Sequence, residues 1–267
     1  MKKRTVFFLV GVLFLLAALF FLGRAALNAY APEQVLSESF TPAPVTASPS
    51  PTPTEAPEPT EPSATETPEP TPTPYVSPVD FDSLSALNSD IYGWLELPNT
   101  GISLPILQDA ENDAFYLNHN SDRAYSANGS VFSEATYNSK SFDDPVTLLY
   151  GHHMKDGAIF GNLQYYYSDS EFFEENPTFT IYTPEEELTY GVFAAIPYPG
   201  DHILYYNDFT DEDTFHSFFE LVFNIHDFSA NFNRDYAPEF GDRVVILSTC
   251  LIGNNTNRFL VMGRLLP

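Results

Sequence analysis

The sequence has 267 residues, with 36 Asp and Glu against 11 Lys and Arg, a net charge of −25, one cysteine and 23 prolines. A deficit of cations this large excludes binding along a phosphate backbone, which needs a basic face, and a single cysteine excludes an internal disulfide framework. Residues 32–78 hold 14 of the prolines, so only residues 79–267, with 7 cationic and 29 acidic side chains, read as a globular domain.

The chain opens with Met1-Lys2-Lys3-Arg4, then an apolar run from Val6 to Gly23, then Arg24. Those 18 residues match one bilayer crossing at about 1.5 Å per residue. Cations ahead of the run keep residues 1–5 cytoplasmic. The expectation is therefore a single-pass anchor over residues 6–23, with the rest of the chain outside the cell. A cleaved signal peptide is the alternative, because Ala29-Tyr30-Ala31 has the small-x-small form, but the apolar run exceeds the usual core of about 7–15 residues. Residues 24–78, rich in Pro, Thr and Glu, cannot pack a core. They read as an extracellular stalk of polyproline type, with Thr and Ser open to glycosylation.

The domain starts with a predicted helix over residues 80–88, with Phe81, Leu84 and Leu87 at three-residue spacing. "YGWLELPNTGISLPIL" then reads as strand, turn and strand, with Pro98-Asn99-Thr100-Gly101 turning. Trp94 and Leu97 are predicted core residues. Val146–Tyr150 reads as a short buried strand, broken by Gly151 and followed by His152 and His153. A helix is predicted over residues 160–167. "TFTIYT" and "LTYGVFAAIPY" are two more strands, turning through Pro184-Glu185-Glu186. "FTDEDTFHSFFELVFNI" is the clearest helix, with a capping box at Thr210-x-x-Asp213 and a core stripe of Phe215, Phe218, Phe219, Val222 and Phe223. Strands Val244–Thr249 and Arg258–Gly263 close the domain, joined by a polar loop. The fold class is mainly β with short helices inserted.

Cys250 ends one predicted strand, His152 follows another, and Arg258 opens a third. A thiol attacks a carbonyl as thiolate, and histidine is its usual proton partner. A guanidinium supplies fixed positive charge where an oxyanion forms. The competing account is a lone cysteine buried as a small hydrophobe. No His-Glu-x-x-His or calcium-loop pattern is present, so neither a metal nor another cofactor is expected.

The local wording goes further. "LSTCLIGNNTNRFLVMGRL", with Arg eight residues after Cys, resembles the catalytic end of the sortases. "LLYGHHMKDGAIFGNL" resembles their histidine segment, while "YGWLELPNTGISLPILQ" and "YLNHNSDRAYSANGSVF" resemble the class B branch. The resemblance spans about residues 79–267. It implies a closed β-barrel of about eight strands, with N-terminal helices and a helix in the loop between strands 6 and 7. It implies Cys250 as nucleophile, His152 as general acid and base, and Arg258 as the group orienting substrate and oxyanion. His153 is the alternative histidine. Ser248, with Thr249 beside it, and Asn118 match positions along the family's substrate groove. Tyr205 and Tyr206 are further groove candidates, although core packing is the preferred account of each.

The implied reaction cleaves a C-terminal sorting signal, LPxTG-like or NPxTN-like, after Thr. The acyl group then joins an amino group of peptidoglycan or its lipid-linked precursor. The implied location is the cell membrane of a Gram-positive-type bacterium, with the catalytic domain outside. Leu251 and Ile252 depart from the more polar loop of relatives, and no apolar run near Pro267 suggests a pilus-polymerising class. Two other readings compete. An L,D-transpeptidase would carry His and Cys close in sequence, whereas His152 and Cys250 are 98 residues apart. A stalked adhesin would bury Cys250 as a structural residue.

Overall fold

The computed structural model describes residues 75–163, 169–228 and 230–267. Its strands are β1 (Ile91–Leu97), β2 (Ile102–Leu107), β3 (Val131–Phe132), β4 (Val146–Tyr150), β5 (Thr178–Tyr182), β6 (Glu187–Tyr198), β7 (Asn231–Phe232), β8 (Val244–Leu251) and β9 (Asn254–Leu265). They run in the order β5-β1-β2-β3-β4-β8-β9-β6, and a β5–β6 pairing closes the ring. Closure removes free sheet edges. β6 is long enough to serve two neighbours on one edge, with Glu187–Gly191 on β5 and Ala194 and Ala195 on the short β7. The ring is antiparallel except for β2–β3 and β4–β8, which are parallel.

Four α-helices lie among the described residues: α1 (Phe81–Leu87), α2 (Ser170–Glu175), α3 (Ile203–Tyr206) and α4 (Glu212–Phe223). α3 and α4 lie between β6 and β7, and α1 precedes β1. Phe81 and Leu84 of α1 are buried, but Leu87 is half exposed. A 3₁₀ turn, Gly161–Leu163, replaces the start of the helix predicted over residues 160–167, whose remainder lies outside the described residues. Both α2 and α3 were missed from sequence. Asp169 caps α2 by accepting from the Glu171 and Phe172 amides.

The apolar run of β8 is explained by two covered faces. Val245 and Leu247 join Leu149, Phe259 and Val261 in the barrel interior. Val244 and Ile246 alternate outward and join Val146, Leu148, Leu260 and Met262 in a second cluster. The buried stripe of α4, Phe215, Phe218, Phe219 and Val222, completes that outer layer. A strand covered on both sides has no polar face. Rings interlock there edge to face, as Phe193 and Phe219 do at 5.7 Å.

Two local expectations are corrected. The cap of α4 is Asp211, which accepts from the Thr214 amide at 2.9 Å. The helix starts at Glu212, so Thr210 lies one residue outside the cap, where its hydroxyl donates to Asp208 at 2.6 Å. The loop expected between the last two strands is mostly ladder. β8 continues to Leu251 and β9 starts at Asn254, with Gly253 at φ +75 in the turn. Polar side chains do not prevent this, because the ladder bonds are backbone bonds, and a register shift between Cys250 and Leu251 takes up the extra residues.

The membrane placement is also corrected. Among the described residues no helix is long and apolar enough to cross a membrane. Residues 6–23 and 24–78 up to Pro74, on which the anchor and most of the stalk rested, lie outside the described residues.

Phe215 is fully buried beneath α4. Phe215→Ala should destabilise the protein by roughly 3–5 kcal/mol through transfer and cavity terms, and a urea denaturation midpoint shift will measure it.

Candidate active site

The site is assembled by register. β4 and β8 run side by side, with Tyr150 opposite Ser248. The Gly151 amide extends the ladder by donating to the Ser248 carbonyl at 3.1 Å. The β4–β8 ladder ends there, with His152 two residues beyond Tyr150 and Cys250 two residues beyond Ser248. On the other edge of β8, Cys250 pairs with Arg258 of β9. Parity places Cys250 and Arg258 on the outer face, in line with Ile246 and Ser248 and with Leu260 and Met262. Ser248 is still buried, whereas Cys250, Arg258 and His152 are each partly exposed. The apolar layer therefore opens at the level of the thiol.

Arg258 Nη1 donates toward Cys250 Sγ at 3.9 Å. His152 Nε2 is 2.8 Å from the carbonyl oxygen of Leu117. A carbonyl only accepts, so Nε2 carries the ring proton and Nδ1 is the basic nitrogen of the neutral imidazole. The carbonyl is itself held firmly. Leu117 ends a 3₁₀ turn, Phe115–Leu117. The Tyr116 hydroxyl donates to Asp90 at 2.6 Å. Arg123 bonds Asp90, bonds Asp109 at 2.8 Å, and lies 4.4 Å above the Phe115 ring.

Gly151 is required between Tyr150 and His152. A Cβ there would meet Phe160 at 2.7 Å and Ile159 at 2.9 Å. His153, the alternative histidine, pairs its backbone with Ile159. Burial holds its imidazole below the usual value.

The remaining candidates separate. Asn118 is exposed and directly follows Leu117, so it stands beside His152. Ser248 shares the outer face with Cys250. Thr249 does not, because alternation turns it into the barrel interior, where it is buried and its hydroxyl has no partner among the described residues. Tyr205 and Tyr206 are 67% and 69% exposed on α3, which overturns the core-packing account of both. With Tyr137, Asp144 and Leu204 they line a cavity of about 410 Å³. Among the described residues no cluster of three or more His, Cys, Asp or Glu is arranged to hold a metal.

Sequence reasoning missed three contributors. The Leu117 carbonyl has no side-chain signature. Glu134 is one acid among many, and Tyr150 reads as strand. The Tyr150 hydroxyl donates to Glu134 at 3.0 Å. Burial first, then the Glu134 charge, raises the Tyr150 phenol well above its ordinary value, and the Arg258 charge opposes that shift. Tyr150 therefore stays a donor.

No family model matches the chain. It is 31% identical over 184 residues to Sortase B of Listeria monocytogenes, covering 68% of this chain and 72% of that protein. It is 28% identical over 188 residues to Sortase B of Staphylococcus aureus, covering 70% and 74%. Among solved structures, sortase B from B. anthracis in complex with AAEK1 aligns with a TM-score of 0.60 and 30% identity, over 70% of this chain and 83% of that one. The Staphylococcus aureus sortase B–substrate complex aligns with a TM-score of 0.61 and 27% identity, over 70% and 84%. Similarity of this extent, on a closed barrel of the same architecture, shows the family: the chain belongs to the class B sortases and is a cysteine transpeptidase.

Proposed function

We propose that the enzyme cleaves a C-terminal sorting signal after Thr and transfers the acyl group to an amine of peptidoglycan or its lipid-linked precursor. Cys250 is the nucleophile, His152 the proton carrier and Arg258 the oxyanion partner. The observation that carries this reading is the pairing of Cys250 with Arg258, guanidinium to sulfur at 3.9 Å, at the level His152 enters.

The thiol proton passes to His152 Nδ1 and sulfur attacks the carbonyl carbon. Negative charge develops on the carbonyl oxygen, within reach of Arg258, whose guanidinium supplies a fixed positive charge there. Collapse breaks the peptide bond as His152 gives its proton to the leaving amine. A thioester remains, storing acyl reactivity without a nucleotide. The acceptor amine attacks that thioester and gives a proton to His152, which returns it to the departing sulfur. Ser248, Asn118, Tyr205 and Tyr206 are proposed to line the peptide groove. Similarity to a sortase B–substrate complex supports a peptide in that position. LPxTG-like and NPxTN-like signals are the peptides to test.

The test is intact mass after incubation with a library of such peptides. An acyl adduct on Cys250 is expected. A folded protein with a freely alkylated thiol and no adduct from any peptide would overturn the reading. Cys250→Ala should form no adduct while keeping its thermal midpoint. Arg258→Lys keeps the charge but loses the planar fork, and kcat/KM should fall about 100-fold, the scale of one oxyanion donor. Gly151→Ala forces the His152 segment off Phe160, so kcat should fall together with roughly 1–3 kcal/mol of stability, read by steady-state rates and urea denaturation.

A further inference from the structure

Glu134 stands just beyond β3, and its Oε2 accepts from two separate elements. The Tyr150 hydroxyl, at the end of β4, donates to it at 3.0 Å. His202 Nε2 meets the same oxygen at 2.9 Å. The His202 ring is oriented from its other side, where Nδ1 accepts the Tyr205 amide at 3.1 Å as the cap of α3. Nε2 is therefore the protonated nitrogen, and it donates to Glu134. The Tyr137 ring covers His202 at 4.8 Å between centroids. Together these contacts tie α3 to the strand that leads into His152.

α3 needs such a tie. It has 4 residues, and a single turn is not stable on its own. Ile203 buries one side of it in the outer cluster, while Tyr205 and Tyr206 face solvent. Beside that packing, one carboxylate oxygen links those two rings' helix to the outer face near Tyr150.

We propose that Glu134 is a specificity-determining positioning residue. It clamps α3 to the active-site end of β4 and so holds the Tyr205–Tyr206 wall at the width that accepts the peptide segment preceding the scissile bond. The peptide part of this inference rests on the transpeptidation proposed above, and the clamp itself does not.

Two variants break the clamp from opposite sides. Glu134→Ala removes the acceptor. His202→Asn keeps a good helix cap on a side chain too short to reach Glu134. Hydrogen exchange of the amides of residues 203–206 should accelerate about tenfold in each, the scale of one charge-assisted hydrogen bond, with exchange in β8 and β9 unchanged. With a reactive sorting peptide, KM should rise about tenfold in each variant while kcat stays within about twofold. The double variant should be no worse than either single one. Unchanged exchange in α3 would overturn the clamp, whatever the activity. A fall in thermal midpoint and kcat with KM unaltered would mean a structural role only and would overturn the specificity role. If the unmodified enzyme forms no acyl adduct, transpeptidation fails, and the exchange result still decides the clamp.

Discussion

Strand β8 is hydrogen-bonded along both edges, parallel to β4 and antiparallel to β9, and the site depends on that double pairing. Cys250 and Arg258 are neighbours through a hairpin, so local chain geometry brings them together. His152 is not local to either. The parallel ladder aligns the ends of β4 and β8, and His152 and Cys250 each lie two residues beyond its last pair. A parallel pair needs a long crossover, and here the intervening chain builds β5, β6, β7 and the helices α2 to α4. Much of the barrel is thus the connection between the two strands whose ends lead into His152 and Cys250.

The same crossover supplies the cover for the outer face. α4 lays its phenylalanines over Val244 and Ile246, so β8 is dry on both sides for most of its length. At about 25 cal/mol per Å² of apolar surface removed from water, this layer fixes which way the strand faces. A slip of one residue would turn the thiol inward. The apolar run before Cys250 and the position of Cys250 therefore have one cause. The strand is anchored by burial up to Ser248 and emerges where chemistry requires solvent.

The element types were largely legible in the sequence because they rest on period and punctuation. The alternating strands, the Phe stripe of α4 and the Gly151 break all carry such signals. Cys250, His152 and Arg258 were legible as residue types at strand ends, but their approach to one another was not, since no local pattern encodes a parallel pairing across about 100 residues. Thr249 was grouped with the site from its place beside Ser248, and strand alternation separates it. The cap of α4 was misplaced by one residue because Thr210 and Asp211 are equally good caps on paper. The helix starts at Glu212, and Asp211 accepts the Thr214 amide. The exposed rings of Tyr205 and Tyr206 defeat composition altogether, because an aromatic residue signals burial unless the helix carrying it is too short to turn every ring inward.

The partner chosen for His152 separates this site from serine hydrolases. There a carboxylate orients the histidine and stabilises the imidazolium. Here a backbone carbonyl orients it, and a neutral dipole contributes less to the imidazolium than a full charge does. The nucleophile makes that sufficient. A thiol ionises about five to seven decades more readily than an alcohol and needs correspondingly less base. In the proposed mechanism orientation cannot be relaxed, because the proton leaves from and returns to the same nitrogen in both half-reactions. The buttress behind the Leu117 carbonyl, Asp90 and Asp109 around Arg123 and the Phe115 ring, holds the acceptor of the His152 Nε2 proton in place. A carboxylate in place of the carbonyl would hold the imidazolium more tightly and slow its release of the proton to the leaving amine. The carbonyl keeps the histidine aimed while leaving its proton free to move.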